Sequence, residues 1–194
     1  LTCALKGKLD LPLENVTAAV GDVDVFVRRM ALRVLRERKD PAAIRAVAAA
    51  LEDPENSVRV QAVLTLGELE DPQAVERILA AISREESTFQ FHFRAVPEVL
   101  KKLAAEGRLS DADKQQMIAR LTDPQPRVRE LVLYYFTLVG APATPDVLSR
   151  LLAIIDDDSN AYARELAMVN LRSSFGAIPE AVSSLEAAMT GDPD

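Results

Sequence analysis

The sequence predicts an all-α protein built from stacked antiparallel helix pairs, and three observations predict it. Residues 53–82 read as two short amphipathic helices with a turn between them: Val58, Ala62, Leu66 and Leu69 fall at spacings of four, four and three. Val75, Ile78, Leu79 and Ile82 then repeat the periodicity of one helix face. The unit also recurs, because Val58-Arg59 has counterparts at Val27-Arg28, Phe93-Arg94, Val128-Arg129 and Ala163-Arg164, at steps of 31, 35, 35 and 35 residues. Finally, Asp22, Asp53, Asp123 and Asp158 stand six residues before their arginines, with Thr88 in that place in the third copy. A lone amphipathic pair leaves much of its apolar face wet, and stacking further pairs is the simplest remedy.

Residues 1–21 read as a partial repeat, since Leu13, Val16 and Val20 sit 31 residues before Ile44, Val47 and Leu51. The chain begins with Leu rather than Met, and Asp192-Pro193 matches the opening Asp53-Pro54, so a segment of a longer protein, or else an array with unusual caps, is expected. The first full copy spans 22–52. Its first helix has a core stripe of Val27, Met30, Ala31, Val34 and Leu35, and Arg29, Arg33, Arg36, Arg38 and Lys39 crowd the remaining surface. Those cations read as a solvated face favoured by the dipole near the helix C-terminus, or as a functional basic patch. The second helix, residues 42–51, is rich in alanine and exposes little but Arg45.

The second copy, 53–85, is expected to start at Asp53-Pro54, a capping side chain followed by a residue with preset φ. Gly67 and the Glu70-Asp71-Pro72 cluster divide its helices. The third copy, 86–121, departs most: Phe89, Phe91 and Phe93 surround His92, Pro97 falls within the helix, and Lys101 takes a slot held elsewhere by Leu35, Leu66, Phe136 and Leu171. Pro97 is expected to kink that helix or shift its start. The phenylalanines fill the resulting space or form a docking site, and a lone His92 without partners at ligand spacing does not point to a metal. Ser110 is expected to cap a polar helix over 112–121 whose outward residues are Asp113, Lys114, Gln115, Gln116 and Arg120.

In the fourth copy, 122–156, Tyr135 and Phe136 match core columns while Tyr134 is expected to point outward as a binding candidate. Thr144 caps its second helix, with Pro145 as first helical residue. The fifth copy spans 157–190. Asp156-Asp157-Asp158 reads as acids placed for the helix dipole, because no D-x-D-x-D-G loop surrounds it.

Of the 194 residues, 48% are hydrophobic and 27% charged, which supports one continuous core, and aromatics are scarce at 5%. The net charge of −7 weighs against a phosphate backbone as partner, since such affinity rests on clustered Lys and Arg. One cysteine, Cys3, excludes an internal disulfide and a Cys-based zinc site. No apolar run approaches a membrane span, no signal peptide is read, and a cytoplasmic location is expected. The sequence shows no Ser/His/Asp or Cys/His constellation and no Gly-rich phosphate loop, so neither cofactor nor metal is expected.

The pairing of a turn Asp with an Arg inside the first helix resembles HEAT and HEAT-like repeats, especially the short kind found in phycobilisome-lyase-type proteins. The residues carrying it are Asp22/Arg28, Asp53/Arg59, Asp123/Arg129 and Asp158/Arg164; Arg94 faces Thr88 instead of an acid. The W-x₂-L-G-x₂-Y and T-P-L-H signatures of tetratricopeptide and ankyrin arrays are absent. The resemblance implies a single right-handed α-solenoid domain over 1–194, with the Asp and Arg residues linking neighbouring repeats as a ladder. It also implies that second helices line a concave face, where Arg45, Glu76, Arg77, Gln116, Arg120, Ser149 and Arg150 would meet a protein segment or another domain of the same polypeptide. A non-catalytic interaction or scaffolding module is therefore expected. The alternatives are a bilin lyase-like or DNA glycosylase-like enzyme, or a regulatory domain of a larger polypeptide.

Overall fold

A computed structural model of the chain describes residues 11–83 and 92–176, together with residues 179 and 183. Among them the secondary structure is all-α, with no strand. The chain divides into two compact units, residues 1–109 and 110–194.

The first unit contains α1 (Leu13–Ala18), α2 (Val25–Arg38), α3 (Ile44–Ala49), α4 (Asn56–Leu66), α5 (Ala74–Ser83) and α6 (His92–Ala105). Both α1 and α3 close with a 3-10 turn, Ala19–Gly21 and Ala50–Glu52, so the two second helices match at a step of 31. Helices α2, α4 and α6 pack side by side as one layer, and α1, α3 and α5 form the other. Between the layers Val16, Ala31, Leu35, Val47, Val58, Ala62, Leu66 and Ile78 are fully buried.

The repeat acids Asp22, Asp53, Asp123 and Asp158 do not cap the first helices as the Asp-Pro reading expects; Asp24 caps α2 and Asn160 caps the helix Ala161–Phe175 instead. Helix α4 begins at Asn56, three residues after Asp53, with no side-chain cap. The Asp53 carboxylate instead accepts from Glu55 N at 2.8 Å and closes a turn of its own. Asp22, Asp123 and Asp158 accept from the backbone two residues on in the same way. The turn fixes each carboxylate, and those of Asp53 and Asp158 also accept from the arginine of the preceding first helix.

Neighbouring first helices are also tied by buried polar side chains at one position of the repeat. Thr65 Oγ1 lies 3.1 Å from Leu32 O on the preceding first helix. Asn170, in the equivalent position of its own repeat, donates from Nδ2 to Leu133 O at 2.9 Å. Both side chains are fully buried, and each also bonds a carbonyl four residues back. The Thr65 proton and one Asn170 amide proton are satisfied within their own helices, and the second Asn170 proton is satisfied through the register between repeats.

The third copy has a different register from the one its Phe93-Arg94 pair suggests. In α6 the buried residues besides Pro97 are Val96, Val99, Leu100 and Leu103. They take the places of Ala62, Thr65, Leu66 and Leu69, a step of 34 rather than 35. Lys101 is therefore exposed rather than in a core slot, and Leu100 fills that slot. The helix runs through Pro97, five residues after its start at His92. Phe89 and Phe91 lie outside the described residues, as do the side chains of His92, Phe93 and Arg94.

At the C-terminal ends of these helices Glu68 accepts from Lys39 Nζ at 2.9 Å and Lys102 Nζ at 2.5 Å, joining α2, α4 and α6. Hydrogen bonds from Lys102 and then Lys39 outweigh partial burial and bring the Glu68 carboxyl down to about 2. Arg108, past the end of α6, donates to Gly67 O at 2.9 Å and to Leu69 O, capping carbonyls that α4 leaves open. Gly67 itself sits against α6: a Cβ there would lie 2.7 Å from Val99 Cγ1.

The second unit holds α7 (Asp111–Ala119), α8 (Pro126–Val139), α9 (Pro145–Asp157) and α10 (Ala161–Phe175). Helices α8 and α10 pack side by side, α9 packs on α10, and the 3-10 turn Arg120–Thr122 after α7 contacts both α8 and α9. Ser110 and Asp113 form a reciprocal capping box on α7. Asp113 is consequently buried, not outward, because its carboxylate accepts from Ser110 N at 2.9 Å. Thr144 caps α9 through Val147 N at 3.3 Å, with Pro145 first in the helix. Among the described residues no helix is long and apolar enough to cross a membrane.

Two outcomes are expected. Gly67→Ala pushes a methyl into Val99 and lowers stability by about 1–3 kcal/mol, readable by urea denaturation. A carboxyl whose folded pKa is lowered stabilises the fold above its unfolded value, near 4.3 for Glu, and loses that contribution as pH falls toward its folded value. The melting temperature therefore drops between roughly pH 5 and pH 2, and Glu68→Gln shows a shallower drop over that window.

Candidate functional site

The ladder residues build one edge of each unit. Arg28 on α2 donates from Nε and Nη2 to both oxygens of Asp53, at 2.7 and 2.8 Å, while Nη1 holds Asp22 O at 2.9 Å. In the second unit Arg129 on α8 donates to both oxygens of Asp158 at 2.6 Å and to Asp123 O at 2.7 Å. Each guanidinium thus joins the turn before its own helix to the acid before the next first helix. Such bidentate, charge-assisted pairs are directional as well as strong. Arg59 and Arg164 make the same contact to their own turns, at Asp53 O (2.6 Å) and Asp158 O (2.9 Å). Asp123 also accepts from Arg120 at 2.9 Å.

The environment of these groups follows from the geometry. Burial pushes the Asp158 carboxyl up, but the Arg129 hydrogen bond and the Asn160 N–H more than offset it and leave it below the usual range. The bond to Asp53 outweighs desolvation at Arg28 and raises its guanidinium further. Beside this edge, Glu130 on α8 is buried and accepts from Arg127 at 3.2 Å and from the Asn160 amide.

The second-helix layer of the first unit presents an open groove of about 640 Å³ between α3 and α5. Its walls include Ala48, Ala49, Ala80 and Ala81, with Arg45, Glu76 and Arg77 among the polar lining. Arg45 and Glu76 are exposed, whereas Arg77 is half-buried and holds Asp71 at 3.1 Å and Gln73 at 2.7 Å. A second hollow of about 550 Å³ lies between α1 and α3, shares Ala49, and reaches Arg28 and Asp53. Alanine creates both spaces: short side chains leave the helices close below and the surface concave above. The groove was legible only as an alanine-rich helix in the sequence, because its depth depends on the facing alanines of α5.

Of the remaining candidates, Gln116 and Ser149 are exposed, and Ser149 donates to Pro145 O at 3.0 Å. Arg120 and Arg150 are half-buried and paired: Arg120 with Asp123, and Arg150 with Asp146 at 3.0 Å and Thr122 Oγ1 at 3.2 Å. Tyr134 on α8 is half-buried. The Asp156-Asp157-Asp158 run is committed through Asp158 to Arg129, and among the described residues no group of three or more His, Cys, Asp or Glu could hold a metal ion.

A family model described as HEAT repeats matches residues 13–90. No curated protein matches the chain. Among solved structures, the CpcE–CpcF complex of phycocyanin lyase from Nostoc sp. PCC7120 is similar at 19% identity, covering 92% of this chain and 73% of that chain, with a TM-score of 0.46. An engineered protein is similar at 15% identity, covering 93% and 90%, with a TM-score of 0.47. A designed armadillo repeat protein in complex with the peptide (KR)4 is similar at 15% identity, covering 92% and 88%, with a TM-score of 0.42.

Arg129→Ala leaves Asp158 buried without its guanidinium and is expected to cost about 1–3 kcal/mol in chemical denaturation. An unchanged midpoint would show that the pair adds nothing net to stability.

Proposed function

We propose that this chain, whose residues 13–90 are HEAT repeats, is a non-catalytic interaction module that holds a segment of a protein partner. The observation that carries the reading is the alanine-walled groove between α3 and α5, with Arg45 and Glu76 exposed beside it. Small side chains let a ligand backbone approach closely. The arginine and the glutamate supply directional bonds of both signs around an apolar floor, the arrangement of a protein-binding surface with a polar rim. The groove's ionisable groups are Arg45, Glu52, Glu76 and Arg77; this set suits recognition and includes no nucleophile paired with a base. Gln116, Arg120, Ser149 and Arg150 are the candidate contacts on the second unit.

Peptides selected from a displayed random library on the intact chain test this reading. Ala80→Arg fills the groove and should weaken the selected peptides by about tenfold or more, with circular dichroism melting showing that the variant remains folded. Peptides that bind the folded Ala80→Arg protein as well as the parent would remove the groove as the site.

A further inference from the structure

The outward face of the first-helix layer in the first unit carries a second surface. At 100° per residue, Phe26, Arg29, Arg33 and Arg36 fall within about 80° of arc on α2. That arc lies opposite Ala31 and Leu35, which are fully buried. Phe26 is 59% exposed and Val23, just before the helix, is 98% exposed. Arg29 and Arg33 are exposed, and neither forms an ion pair with another described residue. The macrodipole accounts for Arg36 in the last turn. It offers nothing to Arg29 and Arg33, which stand further back, because its effect fades within one turn of the helix end.

The neighbouring helix supplies the complement. On α4, which packs beside α2, the positions equivalent to Arg29 and Arg33 are Val60 and Leu64, both half-buried. Helix α4 thus presents apolar side chains at the two positions where α2 presents its arginines. In α8 the same positions are Glu130 and Tyr134, and in α10 they are Glu165 and Val169, so the basic pair belongs to α2 alone among these helices.

We infer that this face docks an acidic amphipathic segment of a protein partner, its carboxylates on Arg29 and Arg33 and its apolar side chains on Phe26, Val60 and Leu64. Charge complementarity selects the occupant. Guanidinium forks match carboxylates bidentately, and apolar groups beside them mark an interaction surface. A nucleic acid would gain only a few phosphate contacts over the roughly 15 Å that this stripe spans. The surface is distinct from the groove between α3 and α5 and does not depend on it.

The test is fluorescence anisotropy on the intact chain with a labelled helical peptide of about 18 residues, leucines on one face and glutamates on the other. Saturable binding is expected, weakening with salt and falling by about tenfold or more in the double variant Arg29→Glu/Arg33→Glu. Arg29→Gln/Arg33→Gln should give an intermediate loss if the reversal perturbs folding, and Lys114→Glu should leave binding unchanged. Absence of saturable binding, or equal binding by the folded double variant, overturns the proposal. Loss of binding only in Ala80→Arg would place the peptide in the groove and also overturn it. Tighter binding of a single-stranded oligonucleotide than of the peptide would assign the face to nucleic acid instead.

Discussion

The structure depends on a guanidinium that reaches from one repeat to the next. Arg28 and Arg129 each hold the backbone of their own opening turn and both oxygens of the acid that opens the following first helix. Because the fork is planar and bidentate, the contact constrains orientation as well as distance. The aspartate is already set in place by the backbone N–H two residues on, so the pair joins two rigid turns rather than two flexible side chains. Asn170 imposes the same register from inside the first-helix layer, where a slip would leave one of its buried amide protons unmatched.

With register held by the first helices and their turns, the second-helix layer is free to carry small residues. Alanines in α3 and α5 pack without deep interdigitation and leave the groove whose lining includes Arg45, Glu76 and Arg77. The two layers thus divide the work between specifying the stack and shaping a surface. The opposite edge follows the same logic: Glu68 gathers a lysine from α2 and another from α6 at the ends of three adjacent helices.

The third copy shows where periodicity alone misleads. Phe93-Arg94 matches the motif in letters, and the 35-residue step places Lys101 in the core. Packing instead chooses Val96, Val99, Leu100 and Leu103, because these give α6 an unbroken apolar face one residue out of phase. Burying a lysine without a partner costs more than a shift in register. Asp113 is a similar case: it looks like one more outward acid until the capping box with Ser110 draws it in.

The sequence by itself determined the all-α class, the helix pairs and the positions of the acids and arginines, because helical periodicity, turn residues and motif spacing are local properties of the chain. It also placed Arg45 and Glu76 on second helices, where both are exposed. Only the tertiary structure decided which carboxylate each arginine meets and that facing alanines open a groove. Those outcomes depend on residues some 25 to 40 positions apart coming within hydrogen-bond or packing distance, and no local pattern encodes that distance.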